Sequence, residues 1–145
     1  MAISKFQIPG NIVMGEGCLI ELANLKGSKA MVVTGGNSMK KNGFLATAVN
    51  MLKDGGFEVE VFDDVEANPS VKTCLEGKEA MLKFEPDWIV AIGGGSALDA
   101  AKAMWIFYEH PELTFEDIIT PGSTPPLRNK AKLCCIASTS GTASE

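Results

Sequence analysis

Histidine is almost absent from this sequence, because His110 is the only one in 145 residues. The four cysteines, Cys18, Cys74, Cys134 and Cys135, have no CxxC spacing. With one histidine, a zinc site, a Cys–His pair or a Ser–His–Asp triad is hard to assemble. The cysteines are therefore interpreted as small hydrophobic residues in the reduced thiol form.

Long apolar runs and an excess of positive charge are also missing. No run approaches the ~18 residues of a membrane-spanning helix, and the opening MAISKFQIPG lacks the apolar stretch of a secretory leader. The net charge of −5 disfavours a nucleic-acid partner, and a hydrophobic content of 46% excludes a disordered chain. We expect one soluble, cytoplasmic domain without a membrane or nucleic-acid partner.

Strands and helices are predicted to alternate along the chain. Apolar or alternating runs indicate strands at residues 30–34, 57–62, 88–92 and 133–137. Helical periodicity and start signals indicate helices at residues 19–25, 44–52, 71–82 and 97–108. Two short runs in residues 3–14, divided by Pro9 and Gly10, indicate a β-hairpin. This order predicts an α/β fold with a parallel sheet and helices on both of its faces.

Local signals add detail to this prediction. The polar face of residues 57–62 places that strand nearer the sheet edge, and Ser70 is expected to cap the following helix. His110 is expected at the carboxyl end of the helix at 97–108. The chain stops just after its last strand, inside the predicted binding crevice, so we expect a truncated product whose open sheet edge near Glu145 favours self-association.

Three glycines and a serine at residues 93–96 are the strongest local signal. Without side chains, Gly93, Gly94 and Gly95 let backbone amides approach an anion at the positive end of the next helix. Ser96 is expected either to cap that helix or to donate to a phosphate oxygen, and the alternative for the segment is a tight turn without a ligand. Leu98 stands where a GxGxxG pattern needs glycine, and no P-loop run occurs.

Polar residues follow the other predicted strands. Residues 34–41 contain small residues, Ser38 and two lysines but no acid, which suits an additional phosphate better than free ribose hydroxyls. A glycine-rich turn with solvated lysines is the alternative. Asp99 is expected in the first helical turn, either complementing the helix dipole or contacting a ligand. Asn68 and the run at 138–142 add polar groups at the same edge of the sheet.

Residues 93–102, GGGSALDAAK, resemble the GGGSxxDxAK motif of the iron-containing alcohol dehydrogenase family. Gly15–Glu16–Gly17, Asn68–Pro69 and the terminal TSGTASE fall where that family has counterparts. The resemblance implies a Rossmann-like, doubly wound dinucleotide-binding domain at 1–145, with the helical metal-binding second domain absent. It also implies these cofactor-binding residues: Gly35, Gly36, Ser38, Lys41, Asn68, Gly94, Gly95, Ser96, Asp99, Ser138 and Thr139.

The resemblance further implies the chemistry. Family members that prefer NAD tend to carry Asp where this chain has Gly35, so Gly36, Ser38 and Lys41 favour NADP(H) over NAD(H). The family's divalent metal, iron or zinc, is bound by Asp and His residues of the second domain, so no catalytic residue or metal ligand is assigned here. Ala137 and Ser138 replace a Pro–Thr pair that is common in the family, which weakens the assignment of Ser138.

The resulting hypothesis is that this chain is the cofactor-binding portion of an NADP(H)-dependent, metal-dependent alcohol dehydrogenase. The intact parent would interconvert primary alcohols and aldehydes, whereas this chain alone is expected to be inactive. The alternatives are a polyol or glycerol dehydrogenase of the same superfamily and a non-catalytic nucleotide-binding module. A homo-oligomer is compatible with all three.

Overall fold

The structure, a computed structural model, describes residues 8–145. A 3-10 helix at Cys18–Asn24 comes first. The strands are β1 (Lys29–Gly35), β2 (Glu58–Val65), β3 (Trp88–Gly93) and β4 (Lys132–Ala137). The helices are α1 (Ser38–Lys41), α2 (Phe44–Asp54), α3 (Val71–Phe84), α4 (Gly95–Glu109) and α5 (Phe115–Ile118).

The strands form one sheet in the order β2-β1-β3-β4, and every neighbouring pair is parallel. This confirms the predicted parallel α/β sheet. The edge position predicted for β2 is also confirmed. The strand runs further than its predicted end because Val65 still pairs with Gly35, after an irregularity in the register beyond Val33.

Side chains of the central strands alternate between two buried layers. On one face, Ala30 and Val32 pack in a cluster with Leu52 of α2. On the other face, Met31 and Val33 pack with residues of α3 and α4. Both faces of β1 and β3 are therefore covered, which explains their continuous apolar sequences and confirms the doubly wound arrangement. None of the helices in residues 8–145 has the length and apolar character needed to cross a bilayer.

The amino-terminal ends of the strands are joined by hydrogen bonds. The Asp87 carboxylate accepts the backbone N–H groups of Ser28 and Lys29, at 2.7 and 3.0 Å. Trp88 and Trp105 lie near this edge, and their indole N–H groups donate to the Lys26 and Ala131 carbonyls. These amino-terminal strand ends lie on the opposite side of the sheet from the carboxyl-terminal strand ends, which lead into the glycine-rich loops.

Some predicted elements differ from the structure. Residues 3–7 of the predicted hairpin lie outside the described residues, and its second arm, residues 11–14, forms no strand in the part that is described. The short helices α1 and α5 lie in segments for which the sequence predicts no helix. His110 is the C-cap of α4 as predicted, and its N–H donates to the Ile106 carbonyl at 2.9 Å.

Candidate functional site

The carboxyl ends of β1 and β3 form a crevice at the point where the direction of the chain across the sheet reverses. From β1 the chain moves outward to β2, and it then returns past β1 to β3. In open parallel sheets, ligands bind outside the strand ends at this switch point. The crevice is therefore flanked by two glycine-rich loops, one after Gly35 and one after Gly93.

The loop after β3 turns directly into α4. Gly93 has φ 143°, which L side chains rarely adopt, and Gly94 is the N-cap with an ordinary extended conformation. Helix α4 begins at Gly95, so the N–H groups of Gly95 and Ser96 have no intrahelical acceptor and lie at the positive end of the dipole, whereas the Ala97 N–H donates to the Gly94 carbonyl at 3.1 Å. Below the loop, the buried Thr34 hydroxyl donates to the Ile92 carbonyl at 2.8 Å and joins β1 to β3.

The segment after β4 covers one side of this glycine loop. The Ser138 N–H donates to the Gly93 carbonyl at 2.9 Å. A Cβ atom on Gly95 would lie 2.9 Å from the Thr142 hydroxyl oxygen, whereas one on Gly94 would lie 3.6 Å from that of Thr139. Packing within the chain therefore excludes a side chain at Gly95 but leaves ordinary room for one at Gly94. Neither crowding nor a positive φ therefore requires glycine at position 94, where it is the N-cap of α4.

Ser96 does not have the capping role that was one of the two predicted for it. Gly94 is the N-cap, and Ser96, the second residue of α4, is not a capping residue. Its hydroxyl oxygen instead accepts the backbone N–H of Asn68 at 3.4 Å. This contact joins the loop after β2 to the start of α4. The prediction that Ser96 caps the helix is therefore wrong, while its predicted contact with a phosphate stays a prediction.

Asp99 lies beyond the first turn of α4, in which it was predicted. Because the helix starts at Gly95, Asp99 is its fifth residue, and the first turn contains no acid. Its exposed side chain borders a groove of about 230 Å³ between α3 and α4, together with Pro69 and Phe115. The prediction that Asp99 complements the dipole from the first turn is wrong for this reason.

The loop after β2 contains an acid that the sequence analysis did not single out. The Glu66 carboxylate accepts the Ser70 N–H at 2.9 Å and the Thr73 hydroxyl at 2.7–2.8 Å. Hydrogen bonds, first from the Thr73 hydroxyl and then from backbone N–H groups, lower the pKa of Glu66 to about 2. The Ser70 hydroxyl oxygen accepts the Thr73 N–H at 3.2 Å, which confirms the predicted cap of α3.

The loop after β1 is the predicted site of the adenosine end of a dinucleotide. A Cβ atom on Gly35 would overlap the carbonyl oxygen of Val65, so the neighbouring strand already requires glycine there. Gly36 has φ 61° with open space around it. Ser38 and Lys41 are exposed at the two ends of α1, and Lys40 between them forms an ion pair with Asp63.

The structure brings six of the predicted site residues together around the start of α4: Asn68, Gly94, Gly95, Ser96, Ser138 and Thr139. Gly35, Gly36, Ser38 and Lys41 lie on the next loop of the same sheet edge. Thr34 and Thr142 also lie against the glycine loop, and although both fall in the polar runs at 34–41 and 138–142, neither was among the predicted cofactor-binding residues. The signal for Thr142 was its place in the polar run after β4.

The described residues do not fit a metal site. Residues 8–145 contain no group of three or more His, Cys, Asp or Glu side chains that could hold a metal ion. His110 follows the last residue of α4, at the opposite end of that helix from the crevice. Burial raises the pKa of Cys134 to about 11, and burial also raises the pKa values of Cys74 and Cys135. These thiols therefore remain protonated near neutral pH.

Comparisons with known proteins agree on one family. The sequence model of the iron-containing alcohol dehydrogenases matches residues 9–145. An NADPH-dependent butanol dehydrogenase from Clostridium saccharobutylicum is 57% identical over 141 residues, which are 97% of this chain and 36% of that protein. The solved iron-containing alcohol dehydrogenase from Thermococcus thioreducens superposes with a TM-score of 0.84 at 37% identity, over 94% of this chain and 38% of that one. The chain thus spans little more than a third of these relatives.

Proposed function

Because this chain belongs to the iron-containing alcohol dehydrogenase family, we propose that it forms the NADP(H)-binding portion of a metal-dependent alcohol dehydrogenase. In this proposal residues 1–145 are one dinucleotide-binding domain of an enzyme that interconverts primary alcohols and aldehydes. The observation that carries the proposal is Gly94, where the chain leaves room for a side chain and yet has none, at the positive end of α4.

The residues around α4 have distinct roles toward the dinucleotide. First-turn N–H groups of α4 bind the diphosphate, and the bare backbone at Gly94 lets it approach closely. Thr139 and Ser138 line the same side of the cleft, and Asn68 borders it across from Ser96. The bound dinucleotide supplies a nicotinamide ring that accepts a hydride from the alcohol carbon, or donates one to the aldehyde carbon.

The preference for NADP(H) is supported by the loop after β1. No acid is present in residues 34–41, and Ser38 and Lys41 are exposed at the two ends of α1. A hydroxyl and an ammonium suit the 2′-phosphate, whereas NAD sites usually offer a carboxylate to the ribose hydroxyls. The similarity to an NADPH-dependent butanol dehydrogenase also supports this preference and the alcohol class.

Dinucleotide binding and alcohol turnover are expected to be separate properties. The described residues do not fit the family's metal, so no catalytic step through a metal is assigned to this chain. We therefore expect the chain to bind NADPH without oxidising alcohols.

Calorimetric titration of the chain with NADPH and NADH tests the proposal. Trp88 and Trp105 lie near the opposite edge of the sheet, so heat of binding is a better signal than their fluorescence. We expect submillimolar affinity for NADPH and weaker affinity for NADH. Absence of binding by both dinucleotides would contradict the proposed function, and a preference for NADH would contradict only its cofactor assignment.

A further inference from the structure

The turn between β2 and α3 is held in an unusual conformation beside the proposed diphosphate site. Asn68 has φ 56°, in the left-handed region that residues other than glycine seldom adopt. Its backbone N–H donates to the Ser96 hydroxyl at the start of α4. Residues in this conformation persist where surrounding contacts fix them, and they concentrate at ligand sites.

The contacts that fix this turn come from Glu66. Its carboxylate accepts the Ser70 N–H, four residues along the chain, and the Thr73 hydroxyl, seven residues along. These bonds close residues 66–70 into a compact turn with Asn68 in its middle. The buried Thr73 belongs to α3, so Glu66 fixes the turn relative to a packed helix.

We propose that Glu66 is a positioning residue, which holds Asn68 against Ser96 so that the start of α4 is preorganised for the dinucleotide diphosphate. This inference rests on the proposed function and extends it to a residue that does not itself touch the cofactor. A site whose groups are already in place loses less conformational freedom when the ligand binds.

Two substitutions separate positioning from charge. In Glu66→Gln the amide oxygen can still accept the Ser70 N–H, and the amide N–H can donate to the Thr73 hydroxyl oxygen. In Glu66→Ala both contacts are lost. If Glu66 acted only as a negative charge near a diphosphate, both variants would bind NADPH more tightly than the wild type. If it positions the turn, only the alanine variant binds more weakly.

The experiment is calorimetric titration of the full chain with NADPH and, separately, with adenosine 2′-monophosphate, which lacks a diphosphate. We expect Glu66→Ala to weaken NADPH binding roughly fivefold, a loss of the size that removal of a capping interaction causes. Glu66→Gln should stay within about twofold of wild type. Adenosine 2′-monophosphate should bind equally to all three chains, because it does not reach α4.

A control variant tests whether general destabilisation explains the result, and a further variant serves in case Glu66→Ala does not fold. Asp117 makes a similar set of bonds at α5, accepting the N–H and hydroxyl of Thr114 at 2.7 and 2.9 Å. Asp117→Ala should therefore leave NADPH affinity unchanged. Should Glu66→Ala fail to fold, Thr73→Val removes only the hydroxyl that donates to Glu66 and should weaken NADPH binding roughly twofold to threefold.

The outcomes distinguish this inference from the proposed function. Wild-type binding of NADPH together with unchanged or tighter binding by Glu66→Ala would overturn the positioning role alone. Equal weakening by Glu66→Ala and Asp117→Ala would also overturn it. Failure of the wild type to bind NADPH would overturn the proposed function, and the positioning role with it.

Discussion

The three glycines that follow Ile92 are under different structural constraints. Gly93 has a positive φ, and a Cβ atom at Gly95 would meet Thr142 at 2.9 Å. Gly94 has neither constraint, because its backbone is extended and its nearest neighbour would be Thr139 at 3.6 Å. At the scale of single residues, Gly94 is therefore the position of the glycine loop at which a substitution can test ligand binding with little effect on the fold.

Gly94→Ala should accordingly reduce binding much more than it reduces stability. The added methyl group has room in the free protein, so the thermal midpoint should change little. It would obstruct the close approach of a diphosphate to the backbone, and we expect NADPH affinity to fall about tenfold or more, which corresponds to about 1.4 kcal/mol. Thermal unfolding and calorimetric titration measure the two effects.

Gly10→Ala is the matched control for this substitution. Gly10 also has open space around it and no positive φ, but it lies in the amino-terminal segment. It should change neither stability nor binding. Wild-type affinity for NADPH in Gly94→Ala would show that the diphosphate does not approach this backbone.

Lys41→Ala tests the proposed 2′-phosphate contact. Loss of this exposed ammonium should weaken NADPH binding by about 1 kcal/mol and leave NADH binding unchanged, because only NADPH carries the additional phosphate. Lys40→Ala is the control: it removes the same charge from the same helix, but Lys40 is paired with Asp63. Calorimetry with both dinucleotides measures the preference, and an equal loss in both variants would indicate general electrostatic attraction instead.

At the scale of elements, Glu109 joins the end of α4 to the start of β4. Its buried carboxylate accepts three backbone N–H groups, those of Asn129, Lys130 and Ala131, at 2.9–3.0 Å. In Glu109→Gln one carboxylate oxygen becomes an N–H donor facing a backbone N–H. We expect the free energy of unfolding to fall by about 1–3 kcal/mol, measured by urea denaturation at pH 7.

The same carboxylate gives stability a pH dependence of known sign. Burial alone would raise the pKa of Glu109, but the three backbone N–H bonds outweigh it and the pKa is lowered from 4.5. A group whose pKa is lowered by folding stabilises the protein at pH values above its unfolded-state pKa. This stabilisation is lost as the pH falls through its folded-state pKa. Glu109→Gln should therefore lose less stability than wild type below pH 4.5, and parallel pH profiles would contradict this.

The strands could be predicted from the sequence because burial on both faces leaves continuous apolar runs, as in β1 and β3. The start of α4 could not, because glycine disfavours helices and residues 93–95 were therefore placed outside the helix. The helix nevertheless begins at Gly95, where a Cβ atom would lie 2.9 Å from the Thr142 hydroxyl oxygen. This shift explains the two incorrect roles given to Ser96 and Asp99.

Other elements depend on local hydrogen bonds rather than on periodicity. Helix α5 has four residues, too few for a period to show, but Thr114 and Asp117 form a capping box. That spacing of a hydroxyl and an acid was a signal that could have indicated the helix. The role of Glu66 required knowledge of the turn that brings Ser70 and Thr73 back to it. No spacing rule predicts such a turn when its centre is a left-handed Asn68.

At the scale of the whole molecule, the two edges of the sheet have different constructions. The amino-terminal edge is held by bonds within the chain, through Asp87 and Glu109. The opposite edge gathers loops rich in glycine and hydroxyl groups around the start of α4. The stable edge gives the loops a rigid base, which suits a site that binds through exact placement of backbone groups.

NADPH should therefore stabilise the entire chain, whereas divalent metals should not. A ligand that binds only the folded state adds about 2.7 kcal/mol when present at about 100 times its dissociation constant. We expect NADPH to raise the thermal midpoint in proportion to the logarithm of its concentration. Fe²⁺ and Zn²⁺ should leave it unchanged, because residues 8–145 offer no cluster of metal ligands. Thermal unfolding with each additive, with Gly94→Ala as the binding-deficient control, measures both effects. A metal-dependent rise, or butanol oxidation by the chain with NADP⁺, would contradict the separation of cofactor binding from metal binding.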